Sequence, residues 1–281
     1  MVSFSHTVVL EPVPRPWLVG ALSAVRAELE ELRPDGQRLL LPDGRPVPDV
    51  RLVRGRHLNP GAAYAVQAVH AGYAGHAVPD EEDGKEAVRD PGAPAPLAHP
   101  DASARITVKE WNRHRGVRLA LAVTEDEFAV DLNAALKTLD RPELLELSGR
   151  ARSEDVPLGL SRLRGRAALR LDDWWSAAHT GHTSPSVPLT ARADHFLLRG
   201  EIRAAPRPAA GNGPRWEVRV IVTVRGRSLL RPLVAVVLRV TAGRLRRAVT
   251  GALDTAAGEW NRTVPRLVAM DADQLRNALR R

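Results

Sequence analysis

Two histidines stand three positions apart in His179-Thr-Gly-His182, and His195 lies on the next expected strand. Imidazoles so placed can ligate zinc or move protons near neutral pH. A zinc site needs a third protein ligand and partners that orient the rings. Gly181 sits in a stretch of glycine, histidine and hydroxyl residues without an apolar period, so helical geometry does not align the pair. The reading is a polar loop with no bound metal and no cofactor. Asp172 and Asp173 are adjacent, and on a continuing strand neighbouring carboxylates point to opposite faces rather than forming an acid and base pair. If the chain is an enzyme, Asp172, His179, His182 and His195 are its acid–base candidates. Trp174, Trp175, Tyr64 and Tyr73 are the candidate aromatic contacts.

Other chemistries are excluded by what is missing. The chain has no cysteine, which removes disulfides, catalytic thiols and thiolate metal sites. There is no phosphate-binding glycine loop, dinucleotide fingerprint or HExxH helix. Gly159-Leu-Ser161-Arg-Leu163 lacks the second glycine of a nucleophile elbow.

Lys85, Lys109 and Lys137 are the lysines among 41 basic residues, so arginine carries the formal charge of +8. Residues 199–281 hold 17 arginines against six acidic residues. Arg239, Arg244, Arg246, Arg247, Arg262 and Arg266 are read as solvating the final helix, with contact to an anionic membrane surface as the alternative; nucleic acid is not the expected partner. The apolar stretch from Leu229 to Val240 is interrupted by Arg231, Pro232 and Arg239 and is too short to span a bilayer. Residues 1–10 have no basic, long-apolar leader pattern. The expected location is cytoplasmic.

The elements that must position these groups follow from apolar spacing. Ser5–Leu10 reads as a strand, and Leu18, Ala21, Val25, Leu29 and Leu32 predict a helix over 17–32. Asn59 and Pro60 suggest the start of a second helix. Residues 77–101, with five prolines and many charges, read as a linker. Strands are expected at 105–111 and 117–123. Thr124 and Glu127 have capping-box spacing, predicting a helix through Phe128, Leu132, Ala135 and Leu136. A short helix over 143–147, a strand over 166–171 ending in an exposed corner at 172–175, and one long strand over 189–199 follow. Trp216, Val218, Val220, Val222 and Val224 share one face of the clearest strand. Ser228 to about Pro265 is mainly helical, and 271–281 forms a small helix or frays.

This order, and above all Trp216-Glu-Val-Arg-Val-Ile-Val-Thr-Val-Arg-Gly226 followed by Leu229–Leu233 and Leu245-Arg-Arg-Ala248, resembles the START-like, polyketide-cyclase-like helix-grip family. The resemblance implies an α+β fold: a curved antiparallel sheet of about seven strands wrapped around a long C-terminal helix, with insertions. Residues 1–76 and 102–265 would form one domain, 77–101 a linker or insertion, and 266–281 a tail or short helix. The fold implies a cavity between sheet and helix, lined from the sheet by Val117, Leu119, Leu121, Val218, Val220 and Val222 and from the helix by Val234, Val237 and Leu245. Binding of a small hydrophobic molecule is the leading function. The alternatives are cyclisation or dehydration of an aromatic-polyketide-like substrate, and a structural or interaction domain with a basic C-terminal surface.

Overall fold

The computed structural model describes residues 1–67, 103–125, 128–153, 162–181, 186–210, 214–227 and 231–280. The expected linker at 77–101, Tyr73 and His182 lie outside them. The chain opens with β1 (Val2–Leu10) and α1 (Arg15–Glu31), then β2 (Arg33–Asp35), β3 (Arg38–Leu40), β4 (Pro46–Arg54) and β5 (Ala63–Gln67). It continues with β6 (Ser103–Asn112), β7 (Gly116–Glu125), β8 (Phe128–Lys137), β9 (Leu144–Ser153) and β10 (Arg162–Arg170). After α2 (Leu171–Thr180) come β11 (Leu189–Asp194), β12 (Leu198–Pro208), β13 (Trp216–Gly226), α3 (Arg231–Val268) and α4 (Ala272–Leu279).

All thirteen strands form one open antiparallel sheet, in which β1 pairs with β13 and the order then descends strand by strand to β2. The first strand therefore lies beside the last, and β1 and β2 are the two edges. Thirteen strands spaced about 4.8 Å apart would span roughly 58 Å if flat. The edges are joined directly through α1, which at 1.5 Å per residue is about 25 Å long with short connections at each end. The sheet has to curve for that connection to close. The result, a large open sheet curved around a long C-terminal helix, is broadly the shape of helix-grip folds.

Antiparallel pairing carries each side chain's face across the sheet. One row on the helix-bearing face runs Val108, Leu119, Ala134, Leu147, Ala167, Ala191, Ile202, Val222 and Phe4. Helices cover that face unevenly. α2 packs on β12, and α3 packs on β1 and β13. Together they bury Val8, Leu171, Trp175, Ala178, Ala204, Trp216, Val218, Val220 and Val222 as one core. A second core, Leu39, Leu52, Ala62, Tyr64 and Val108, lies at the opposite side of the sheet. α1 and the residue that follows it link the two, since Leu18 packs on the first and Leu32 on the second.

Polar clasps hold the helices in place. α3 is fastened to β1 by His6 Nε2 to Asp254 at 2.6 Å, Asn261 Nδ2 to the Val9 carbonyl at 2.8 Å and Trp260 Nε1 to the Glu11 carbonyl at 2.8 Å. At one end of α1, the Glu28 carboxylate is only 5% exposed and receives a two-pronged Arg280 guanidinium, both contacts 2.7 Å. At the same end of α1, the Leu58 amide donates to Tyr64 Oη (2.8 Å), Tyr64 Oη donates to His57 Nδ1 (2.9 Å), and His57 Nε2 donates to the Leu29 carbonyl (2.8 Å). Every polar atom of this buried relay has a partner, and burial raises the Tyr64 pKa above its ordinary value.

Several expectations change. The segment expected to be a helix after Thr124 is β8, because β7 and β9 supply backbone partners along its whole length. Residues 144–147 open β9, and Glu143 precedes it, instead of forming a short helix. Asn59 and Pro60 make a turn, with the Ala62 amide bonded to the Asn59 carbonyl, and β5 follows. The 189–199 strand is two strands meeting at a tight turn, in which the His195 amide bonds to the Leu198 carbonyl. The corner at 172–175 belongs to α2, with Asp172 and Asp173 in its first turn and Gly181 closing it in the left-handed conformation (φ 69°). Among the described residues the sheet therefore has thirteen strands, the expected curved antiparallel sheet extended by inserted strands.

Candidate functional site

The helix-bearing face offers an apolar surface that its helices only partly cover. Along the row named above, Val108 is 1% exposed at one end and Val222 6% at the other. Of the six residues between them, Leu119, Ala134, Leu147, Ala167 and Ala191 are half-buried and Ile202 is 36% exposed. The neighbouring row is Ile106, Leu121, Leu132, Gly149, Gly165, Ala193, Gly200 and Val224. Its four central positions are glycine or alanine, so the floor of the sheet there is low. Gly149 is required by close approach: a Cβ would meet the Asp131 carbonyl oxygen at 2.6 Å. Gly165 has room, because a Cβ there would find only the Arg192 carbonyl, at 3.8 Å. The arrangement is a shallow aliphatic bed between two packed cores.

The expected lining residues divide. Leu119 and Leu121 lie in this bed, and Leu245 is half-buried on α3. Val218, Val220 and Val222 are packed into the core beneath α2 and α3, and Val117 is buried near the start of β7. Val234 and Val237 belong to α3, but their side chains lie outside the described residues. Leu132, Ala134, Leu147, Ala167, Ala191 and Ile202 were missed, because β8 and β9 read as helices and the β11–β12 turn as mid-strand. The alternation in Leu145-Glu-Leu-Ser-Gly-Arg-Ala-Arg152 was the signal available.

The polar candidates do not converge. Asp172, at the start of α2, forms an ion pair with Arg15 at 2.7 Å. His179, two turns along the same helix, is exposed and donates through Nδ1 to the Trp175 carbonyl at 2.7 Å. His195 is buried in the β11–β12 turn, where its Nδ1 accepts from the Leu197 amide at 3.3 Å and its ring stacks at a tilt on Phe196. α2 follows the end of β10 at which β11 begins, while His195 follows the other end of β11, a strand of six residues and hence about 20 Å. Adjacent Asp172 and Asp173 sit on a helix, and Asp173 accepts from Ser186 Oγ at 2.7 Å. Trp175 Nε1 donates to the Val13 carbonyl and Trp174 meets Trp216 edge-on, so both rings serve packing. Among the described residues no three His, Asp or Glu side chains are grouped to hold a metal ion.

On α3, Arg244, Arg246, Arg247 and Arg266 face solvent, and Arg262 pairs with Glu259. No described helix is long and apolar enough to cross a membrane. No family model, curated protein or solved structure matches the chain.

Proposed function

We propose that the protein binds a small hydrophobic or weakly polar molecule on the aliphatic bed of β7–β12. The observation that carries this reading is the row from Val108 to Val222, buried at both ends and open across the six strands between. A monomeric sheet normally covers such a face, and one left half-covered gains stability from any apolar molecule laid on it. Removing about 300 Å² of apolar area from water contributes roughly 7 kcal/mol before the cost of association is subtracted. A micromolar dissociation constant needs about 8 kcal/mol net of that cost, so the ligand must bury a larger apolar area than this or add polar contacts. Shape and aliphatic contact suffice for this role, whereas the cyclase-like version of the helix-grip resemblance also needs an acid or base aimed at the ligand.

The test is titration with an environment-sensitive fluorescent fatty acid and with an aromatic polyketide mimic. Saturable binding of either is expected, weakened at least tenfold in Ala167→Trp or Ala191→Trp, whose indoles fill the bed, with melting temperature nearly unchanged. No saturable binding by the unmodified protein overturns the reading. Turnover of the polyketide mimic that is lost in Asp172→Ala or His179→Ala, with binding retained, would move the function to the cyclase class.

A further inference from the structure

The opposite face of the same strands carries arginines in an arrangement that costs stability. Arg150 on β9 lies directly across from Arg164 on β10, and Arg166 on β10 directly across from Arg192 on β11. Side chains so paired have Cβ atoms about 5 Å apart, and like charges there repel. Two residues along β10 separate the pairs, so four guanidiniums occupy one block of three strands. Carboxylates flank the block, with Asp131 across from Arg150, Asp194 across from Arg164 and Glu201 across from Arg192, and the last two are held by other arginines. Asp194 is held by Arg199 at 2.7 Å and Arg227 at 3.3 Å, and Glu201 by Arg203 at 2.7 Å. The hydrogen bond from Arg199 holds the Asp194 carboxyl below the usual carboxylate range, and that from Arg203 does the same for Glu201. Among the described residues none of the four arginines has a carboxylate within ion-pair distance.

The block lies in two adjoining hollows of about 850 and 700 Å³, which share Lys109, Asn133, Ser148 and Arg166. Seven cationic side chains and three carboxylates line them together. The lining contains no aromatic ring, so bases of a single-stranded nucleic acid would find nothing to stack on. Asn133 and Ser148 add neutral donors at the centre of the floor. Planar guanidiniums that recognise oxyanions in pairs, set around small hydroxyl and amide donors, suit clustered phosphate groups.

We propose that Arg150, Arg164, Arg166 and Arg192 form a binding site for an anion carrying several phosphate groups, whether a soluble polyphosphorylated molecule or the headgroup of a phosphorylated lipid. The same strands carry the aliphatic bed, and Leu119, Ala134, Leu147 and Ala167 of that bed also line the first hollow.

The test uses the full chain and inorganic tripolyphosphate, by calorimetry at near-physiological salt. One saturable site is expected, weakened about tenfold in Arg166→Gln and about a hundredfold in Arg164→Gln/Arg166→Gln. The same variants should melt no lower than the unmodified protein without ligand, because each relieves an opposed pair of like charges. Arg244→Gln/Arg246→Gln on α3 removes the same charge elsewhere and should change affinity less than twofold. Vesicles of phosphatidylcholine containing a bisphosphorylated inositol lipid distinguish the sources: competition with tripolyphosphate places a lipid headgroup in the hollow, and its absence leaves a soluble anion. The proposal is overturned by no saturable tripolyphosphate binding, by equal losses in the α3 double variant, or by binding that requires the four arginines for a mixed-sequence DNA duplex but not for tripolyphosphate.

Discussion

Val222 and Thr223 are neighbours on β13, yet they meet different chemistry. Val222 lies in the core beneath α2 and α3, whereas Thr223 bonds Ser3 across the strand pair on the polar face. The same contrast repeats across the strands: Leu147 beside Ser148, Ala167 beside Arg166, Ala191 beside Arg192. The helix-bearing face is apolar and incompletely covered; the other is polar, with cations left opposite one another. One sheet thus presents two unsatisfied surfaces of opposite character, separated by the thickness of a single backbone. Neither surface is improved by the partner the other would take, which is why two different ligands are proposed.

The comparison breaks most sharply at the neighbouring pair. Val222→Asp puts an unpaired carboxylate into a packed core and should cost several kcal/mol, enough to abolish cooperative unfolding near room temperature. Thr223→Asp should stay within about 0.5 kcal/mol. Denaturant melts of both variants check this, and similar losses would mean that the faces are not distinct. A smaller effect separates covered from uncovered apolar positions. Leu39, 3% exposed in the second core, should cost about 2–5 kcal/mol when cut to Ala. Leu147→Ala in the half-buried bed should cost less than half as much, while weakening binding of the fluorescent fatty acid.

The smallest effect concerns acid. Asp194 and Glu201 on the polar face have pKa values lowered chiefly by hydrogen bonds from Arg199 and Arg203. A carboxylate with a lowered folded pKa contributes stability that is present above its unfolded value and lost as pH falls through the folded one. Their contribution should therefore be full at neutral pH and fade below the ordinary carboxylate range, near pH 4. Both groups are solvent-accessible, so the loss should be slight. Asp194→Asn should flatten the acid limb of melting temperature against pH, and Val222→Ala should leave its shape unchanged.

How legible these features were depended on how far each relied on neighbours. Strand β13 was plain because five apolar residues alternate with polar ones, and that pattern fixes a half-buried strand wherever it sits. The final helix was legible from its apolar spacing, whereas 271–281 read as either a small helix or a frayed end; the reciprocal cap of Asp271 and Gln274 opens α4 there. Strand β8 was not. Phe128, Leu132, Ala135 and Leu136 also fit a helix, and Val130, Leu132 and Ala134 fit a strand equally well. Ten-residue strands on both sides decide the matter by offering backbone partners, which no window of eleven residues can reveal. α2 was misread for a different reason: its start and stop signals, Asp172, Asp173 and Gly181, were present but outweighed by the strand pattern before them.

The sequence by itself determined the α+β class, the alternation of apolar and polar side chains along the clearest strands, the long basic C-terminal helix and the absence of cysteine chemistry, because each depends on residues close together in the chain. Tertiary structure alone decided which residues share a row. Arg166 faces Arg192, and Leu119 lies in line with Ile202, only through the register of successive strand pairs. Register is set by turns, glycines and partner strands acting together, so a shift of one residue would exchange the two faces entirely.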